Sequence, residues 1–136
     1  MIRFMLDTNI CIYIIKKKPI SVINHLQTFE ISEIGISAIT LSELEYGVYK
    51  STQPDKNKLA LMSFLAPIEI MPFNTNAAKE YGEIRATLEK YGTPIGPLDN
   101  LIAAHAKALN CTLVTNNENE FKRIKNLSIE NWVNNI

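Results

Sequence analysis

Ile2-Arg3-Phe4-Met5-Leu6 is an apolar run that breaks off at Asp7, and it predicts a buried parallel strand. A helix over Asn9–Lys17 follows, since Ile10, Tyr13, Ile14 and Lys17 fall on one face. Pro19 is suited to open a second helix, with Val22, Ile23 and Leu26 as its apolar stripe. A short strand is expected at Glu33–Ser37. The next helix starts at Thr40 and runs towards Tyr49. Ser51-Thr52-Gln53-Pro54-Asp55 has turn chemistry, and a helix carrying Leu59, Met62, Phe64 and Leu65 ends before Pro67. Ile68–Met71 reads as a third strand, stopped by Pro72. Asn76–Tyr91 is a long amphipathic helix, and a stiff Gly/Pro loop leads to Pro97. Pro97 fits a first helical position, so Leu98–Leu109 should be helical. Cys111–Thr115 is a fourth strand. A short helical segment lies around Phe121, and a small last strand is expected at Leu127–Ile129.

Strands alternating with helices predict an α/β fold, with a mainly parallel sheet flanked by helices on both sides. With 136 residues, the chain is expected to form a single domain spanning 1–136. In open parallel sheets, ligands bind beyond the carboxyl ends of the strands. Asp7 follows the first strand and Glu43 the second. Asn116, Asn117 and Glu120 follow the fourth, and Asp99 opens the helix leading into it.

Composition narrows the choices. No apolar run approaches the roughly 20 residues of a membrane span, and Asp7 interrupts the N-terminal stretch too early for a signal peptide. A cytoplasmic protein with no membrane association is expected. Cys11 and Cys111 are isolated in apolar surroundings and read as buried thiols, which makes zinc a poor fit. Fourteen Lys+Arg balance fourteen Asp+Glu, so net charge gives no argument for nucleic-acid binding. Any such binding must come from local patches such as Lys16-Lys17-Lys18, or Lys122-Arg123 with Lys125. Solvated helix ends are the simpler and commoner explanation of each patch.

Each acidic residue has a structural explanation of its own. Asp7-Thr8-Asn9 can cap a helix. Thr40-Leu41-Ser42-Glu43 fits a capping box. Asp99 meets the positive end of its helix, although Leu98, Leu101, Ile102 and Ala103 around it are apolar. Glu120 can be a solvated helix residue, with Asn116 and Asn117 as turn formers. Glu45 lies about 200° around its helix from Glu43, and His105 about 240° from Asp99, so neither is expected in the same pocket. His105 reads as a structural or surface residue, and His25 has no visible partner. All four acids nevertheless map to one sheet edge. Held together they repel, and a hard cation relieves that repulsion. Magnesium and manganese suit carboxylates without His or Cys, and the chemistry favoured is phosphodiester hydrolysis. The reading requires Asp7, Glu43 and Asp99 to converge on one cation. Three rivals remain: an acidic edge that captures an Arg-bearing peptide without catalysis, an aspartyl phosphoryl-transfer site at Asp7, and DNA cleavage by the same site. The phosphoryl-transfer site lacks a second Asp two positions on, and DNA cleavage is the closer rival because the metal chemistry does not distinguish sugars.

Four segments carry a resemblance. They are Phe4-Met5-Leu6-Asp7-Thr8-Asn9, Ser42-Glu43-Leu44-Glu45-Tyr46-Gly47, the stretch from Gly96-Pro97-Leu98-Asp99 to Ala106, and Leu113-Val114-Thr115-Asn116-Asn117 with Glu120-Phe121. In order and spacing the chain resembles the VapC-type PIN-domain toxins of bacterial toxin–antitoxin pairs. The resemblance implies a Rossmann-like parallel sheet and an Mg2+- or Mn2+-dependent endoribonuclease. It further implies a homodimer and a cognate VapB-type antitoxin, through which the toxin reaches operator DNA. Asp7 and Asp99 would be the metal ligands, with Glu43 and Glu120 completing the acidic catalytic cluster. Thr8, Asn9, Thr115, Asn116 and Asn117 would orient ligands or backbone. Members close to this one cut initiator tRNA in its anticodon stem-loop, which is the expected substrate. One departure stands out: many PIN domains place an aspartate near Asn117, and here Glu120 is the nearby carboxylate.

Overall fold

The computed structural model describes residues 1–134. Five strands pair in parallel: β1 (Phe4–Leu6), β2 (Ile34–Ser37), β3 (Glu69–Met71), β4 (Thr112–Val114) and β5 (Ile129–Glu130). Their order across the sheet is β3-β2-β1-β4-β5. The chain moves outward from β1 to β3, then returns to the other side of β1. The reversal lies between β1 and β4, where Phe4, Met5 and Leu6 pair with Thr112, Leu113 and Val114. Open α/β sheets have their ligand crevice at such a reversal.

Seven helices cover the sheet among the described residues. They are α1 (Thr8–Lys16), α2 (Ile20–Gln27), α3 (Ala38–Lys50), α4 (Pro54–Leu65), α5 (Thr75–Lys90), α6 (Pro97–Leu109) and α7 (Glu118–Phe121). The period-2 alternation of strand side chains decides which helices each strand residue meets. Phe4 and Leu6 pack with Ile10, Val22, Leu44, Val48 and Leu61, so α1–α4 cover one face. Met5 and Leu113 pack with Ile84, Leu88, Ile102 and Phe121, so α5–α7 cover the other. Every residue of β1 is buried because both faces are covered. The expected two-sided parallel sheet is therefore observed.

Several boundaries differ from the sequence expectations, each for a local reason. β1 is three residues long, although Ile2 is also buried. Pro54 and Asp55, expected as turn, are the first two residues of α4; proline needs no N–H there and aspartate favours the positive end. β5 begins two residues later than expected and ends one residue later, paired with Leu113 and Val114. α3 begins at Ala38 because Ser37, at the end of β2, accepts the Ile39 N–H at 3.0 Å. Thr40 is therefore inside the helix and buried, and the capping box predicted from Thr40 and Glu43 does not form. Both cysteines are free and buried, as expected. Among the described residues, no helix is long and apolar enough to cross a membrane.

Candidate active site

Asp7 stands where β1 ends and α1 begins, with its backbone extended at the cap position. Its backbone N–H donates to Val114 O at 2.8 Å, which keeps β1 and β4 together to their last residues. Its carboxylate is buried and held at both oxygens. Oδ1 accepts the Thr8 N–H at 2.9 Å, and Oδ2 accepts the Thr115 hydroxyl at 2.8 Å. Asp7 therefore does cap a helix, but one oxygen is committed across the sheet reversal instead.

Thr115 passes the constraint onward. Its hydroxyl oxygen accepts the Asn117 N–H at 2.9 Å, and the Asn117 amide donates to Glu120 Oε2 at 2.9 Å. Glu120 lies in α7, half-buried. Glu43 arrives from the opposite side. Without a capping role, it accepts the Thr8 hydroxyl at 2.6 Å through Oε1. Asp99 occupies the first turn of α6, after Gly96 and Pro97, and is half-buried.

The electrostatics report the convergence. Burial, the hydrogen-bonding reach of Glu120 and then the charge of Asp7 raise the Asp99 carboxyl to about 7, with Glu120 and Glu43 adding to the rise. Burial also raises Asp7, opposed by the Thr115 and Thr8 hydrogen bonds and reinforced by the charges of Glu43 and Glu120. The Cys11 thiol, behind Asp7, is raised by burial and then by the Asp7 charge. Among the described residues, none of the four acids has a Lys or Arg ion-pair partner; those partners go to Glu33, Glu45, Glu89 and Glu80. Glu45 in particular binds Lys58 of α4 at 2.6 Å, turned away from Glu43 as the helical angle predicted.

The donor set is all oxygen, carries unbalanced negative charge and lacks His and Cys, which fits a hard divalent cation. The arrangement is looser than the sequence expectation of one cation shared by Asp7, Glu43 and Asp99. No group of three or more His, Cys, Asp or Glu among the described residues is arranged to hold a metal as it stands. Hydrogen bonds through Thr8, Thr115 and Asn117 knit Asp7, Glu43 and Glu120 together, and Asp99 is joined to them by the influence of Glu120, Asp7 and Glu43 on its carboxyl. Asp7 is the fixed member, and the other three carboxylates are only half-buried.

The remaining candidates are divided. Asn9 is exposed on the first turn of α1. Asn116, also exposed, donates to the Tyr13 hydroxyl at 3.3 Å and accepts from the Asn131 amide at 3.2 Å. Asn131 donates as well to Glu118 at 2.9 Å, so a polar network of Tyr13, Asn116, Glu118 and Asn131 borders the acids. Sequence inspection missed Tyr13 and Asn131; the one available signal was that Tyr13 lies four residues after Asn9, on the same face of α1. His105 is structural. It is buried, with Nδ1 2.8 Å from the Ser37 hydroxyl, and burial lowers its pKa. It thereby joins α6, which carries Asp99, to the residue capping α3, which carries Glu43. His25 does have a partner: it stacks on Trp132 with ring centroids 5.8 Å apart.

A model of the PIN domain matches residues 4–127. The chain is 51% identical over 130 residues to ribonuclease VapC2 of Rickettsia felis, covering 95% of this chain and 97% of that one. It is 44% identical over 135 residues to the tRNA(fMet)-specific endonuclease VapC of Salmonella typhimurium, covering 97% and 99%. The crystal structure of DNA-bound VapBC from Salmonella typhimurium superposes with a TM-score of 0.91 at 44% identity, over 97% of this chain and 99% of that one. VapBC2 from Rickettsia felis, bound to a DNA fragment from its promoter, gives 0.89 at 50% identity over the same shares. With a family model over most of its length and relatives matched nearly end to end, the chain belongs to the PIN-domain family, in its VapC branch.

Proposed function

We propose that this protein is the toxin of a VapBC-type toxin–antitoxin pair, a single PIN domain over 1–136 that hydrolyses RNA phosphodiester bonds. One observation supports this above the rest. Asp7 is pinned through Thr115 across the sheet reversal, with Glu43, Asp99 and Glu120 electrostatically joined to it. The relatives named for tRNA(fMet)-specific cleavage make initiator tRNA the preferred substrate, and the anticodon stem-loop its preferred region. Its unpaired bases are reachable by protein. A tRNA substrate supports a cytoplasmic location for the activity.

Ribonucleases of this family generally depend on a divalent metal. The finer reading is Mg2+ or Mn2+, held by Asp7 and Asp99. Once bound, such an ion polarises a phosphoryl oxygen and acidifies the attacking water. The chain's own residues do the rest. Thr8 and Thr115 fix the Glu43 and Asp7 carboxylates, and Asn117 orients Glu120. The Asp99 carboxyl, raised to about 7 by burial and its acidic neighbours in the absence of metal, releases its proton when a cation binds, since an opposite charge favours the ionised form. Asn9 and Asn116 line the exposed rim. The VapBC structures support a cognate VapB-type antitoxin as partner, with operator DNA reached through it, and a homodimer is the proposed assembly.

The test is to incubate the antitoxin-free protein with total tRNA and Mg2+ or Mn2+, and to map the ends. Cleavage should vanish with EDTA and with Asp7→Asn, while the variant keeps its fold by circular dichroism. Undiminished cutting by Asp7→Asn would defeat the scheme.

A further inference from the structure

A cavity of about 530 Å³ lies between α5 and the segment after α7, and Lys107, Arg123 and Lys125 contribute to its wall, with Glu83 the one acid. Its position is tied to the acid cluster. The Arg123 backbone N–H donates to Glu120 O at 3.1 Å, so Arg123 follows Glu120 by one turn of chain, although none of the four acids lines the cavity itself. The Arg123 guanidinium donates to Pro94 O at 2.9 Å, in the loop that leads into Asp99. Lys107 is paired with Glu80 at 3.3 Å, but among the described residues neither Arg123 nor Lys125 has an acidic partner. Tyr91 is on the wall too, 69% exposed, with the Lys90 ammonium 5.8 Å from its ring centroid.

The charge requirement is plain. Four carboxylates without cationic partners repel a phosphate backbone, and the whole chain supplies no net positive charge. In the absence of a bound cation, affinity must come from the protein's own cationic side chains. A second cavity of about 270 Å³ touches Glu43 and has one cation, Lys16, on a largely aliphatic wall. The α5–α7 groove instead combines unpaired cations with an exposed aromatic ring, the pairing that holds single-stranded nucleic acid.

We propose that this groove binds the single-stranded RNA flanking the cut phosphate, Arg123 and Lys125 contacting its backbone and Tyr91 stacking on a base. The proposal rests on the ribonuclease reading and deepens it. It is tested with a labelled anticodon stem-loop RNA and the full-length protein, binding being measured in EDTA across a salt series. Arg123→Gln with Lys125→Gln should weaken binding roughly tenfold and reduce the slope of log affinity against log salt by about 1.4. With metal restored, KM should rise and kcat stay within about twofold. Tyr91→Ala should weaken binding with the salt slope unchanged, and Arg123→Lys with Lys125→Arg should restore wild-type values. Should the double variant fail to fold, Lys125→Gln alone decides, with a slope reduction of about 0.7. Unchanged affinity and slope in a folded variant overturn the groove while wild-type cleavage stands. Wild-type protein that holds RNA in the groove but leaves it uncut supports the groove and defeats the ribonuclease reading.

Discussion

The Thr8 hydroxyl donates to Glu43 Oε1 at 2.6 Å, joining the first turn of α1 to the middle of α3 across 35 positions of sequence. Thr8 follows Asp7 directly, and its own N–H is bound to Asp7 Oδ1. One residue thus holds two of the four acids, one through its backbone and one through its side chain. Two carboxylates that repel are kept at a set separation by a donor between them.

Thr8→Val keeps the shape of the side chain and removes that donor. The backbone bond to Asp7 survives, so the fold should persist. Activity should fall roughly 10- to 100-fold, as is typical when a group orienting a metal-site carboxylate is lost. Thr8→Ser should retain most activity. Single-turnover cleavage of tRNA at saturating metal measures this, and a Thr8→Val rate equal to wild type would deny Thr8 its orienting role.

Asn117 lies near the place where the resemblance implies an aspartate in many PIN domains, and its amide donates to Glu120 Oε2 at 2.9 Å. Restoring the carboxylate by Asn117→Asp replaces a donor with a repelling charge. We expect cleavage at pH 7 to drop about tenfold. Asn117→Ala should lower it less, because it removes the donor without adding charge. Faster cleavage by Asn117→Asp would mean that the site lacks charge and that Glu120 does not supply it.

The strand edge was legible because β1 and β4 are short, apolar and followed at once by polar residues. Those features fix Asp7 and Thr115 at strand ends without knowledge of tertiary contacts. Glu43 was ambiguous for a definite reason. A capping box and a site residue share one local pattern, and the decision belonged to Ser37, which starts α3 a turn earlier. The order β3-β2-β1-β4-β5 was not legible, since hydrophobic patterning marks strands but not their neighbours. The Tyr13–Asn116–Asn131 network was hidden for the same reason: its members are 103 and 15 positions apart.

Gly35 of β2 offers a control remote from the chemistry. A Cβ there would lie 2.8 Å from the Glu69 carbonyl oxygen of β3 and 3.0 Å from the Ile2 side chain. Backbone cannot yield as a side-chain tip does. Gly35→Ala should cost about 1–3 kcal/mol, the usual range for overpacking, with cleavage per folded molecule unchanged. Urea unfolding checks the first statement, and a midpoint equal to wild type would show that β3 moves aside.

Stability against pH tests the acid cluster without reference to catalysis. In EDTA, folded Asp99 titrates at about 7 against an ordinary 3.8, so between these values the folded chain binds more protons than the unfolded one. Its contribution to stability is therefore present below about pH 4 and lost as pH rises towards 7. Asp7, also raised, acts in the same sense. His105 acts oppositely: held below its ordinary 6.5, it favours the folded state as pH rises. Comparison with Asp99→Asn removes one contribution and leaves His105 in place. The wild-type Tm should fall more steeply between pH 5 and pH 7.5 than that of Asp99→Asn. Glu120→Gln, which removes the other half of the pair, should flatten the curve as well. Mg2+ or Mn2+ should raise the wild-type Tm most at the upper end, because a cation favours ionised carboxylates and stabilises the state that binds it. Parallel wild-type and Asp99→Asn curves in EDTA would mean that Asp99 ionises freely and that the four acids do not act as one cluster.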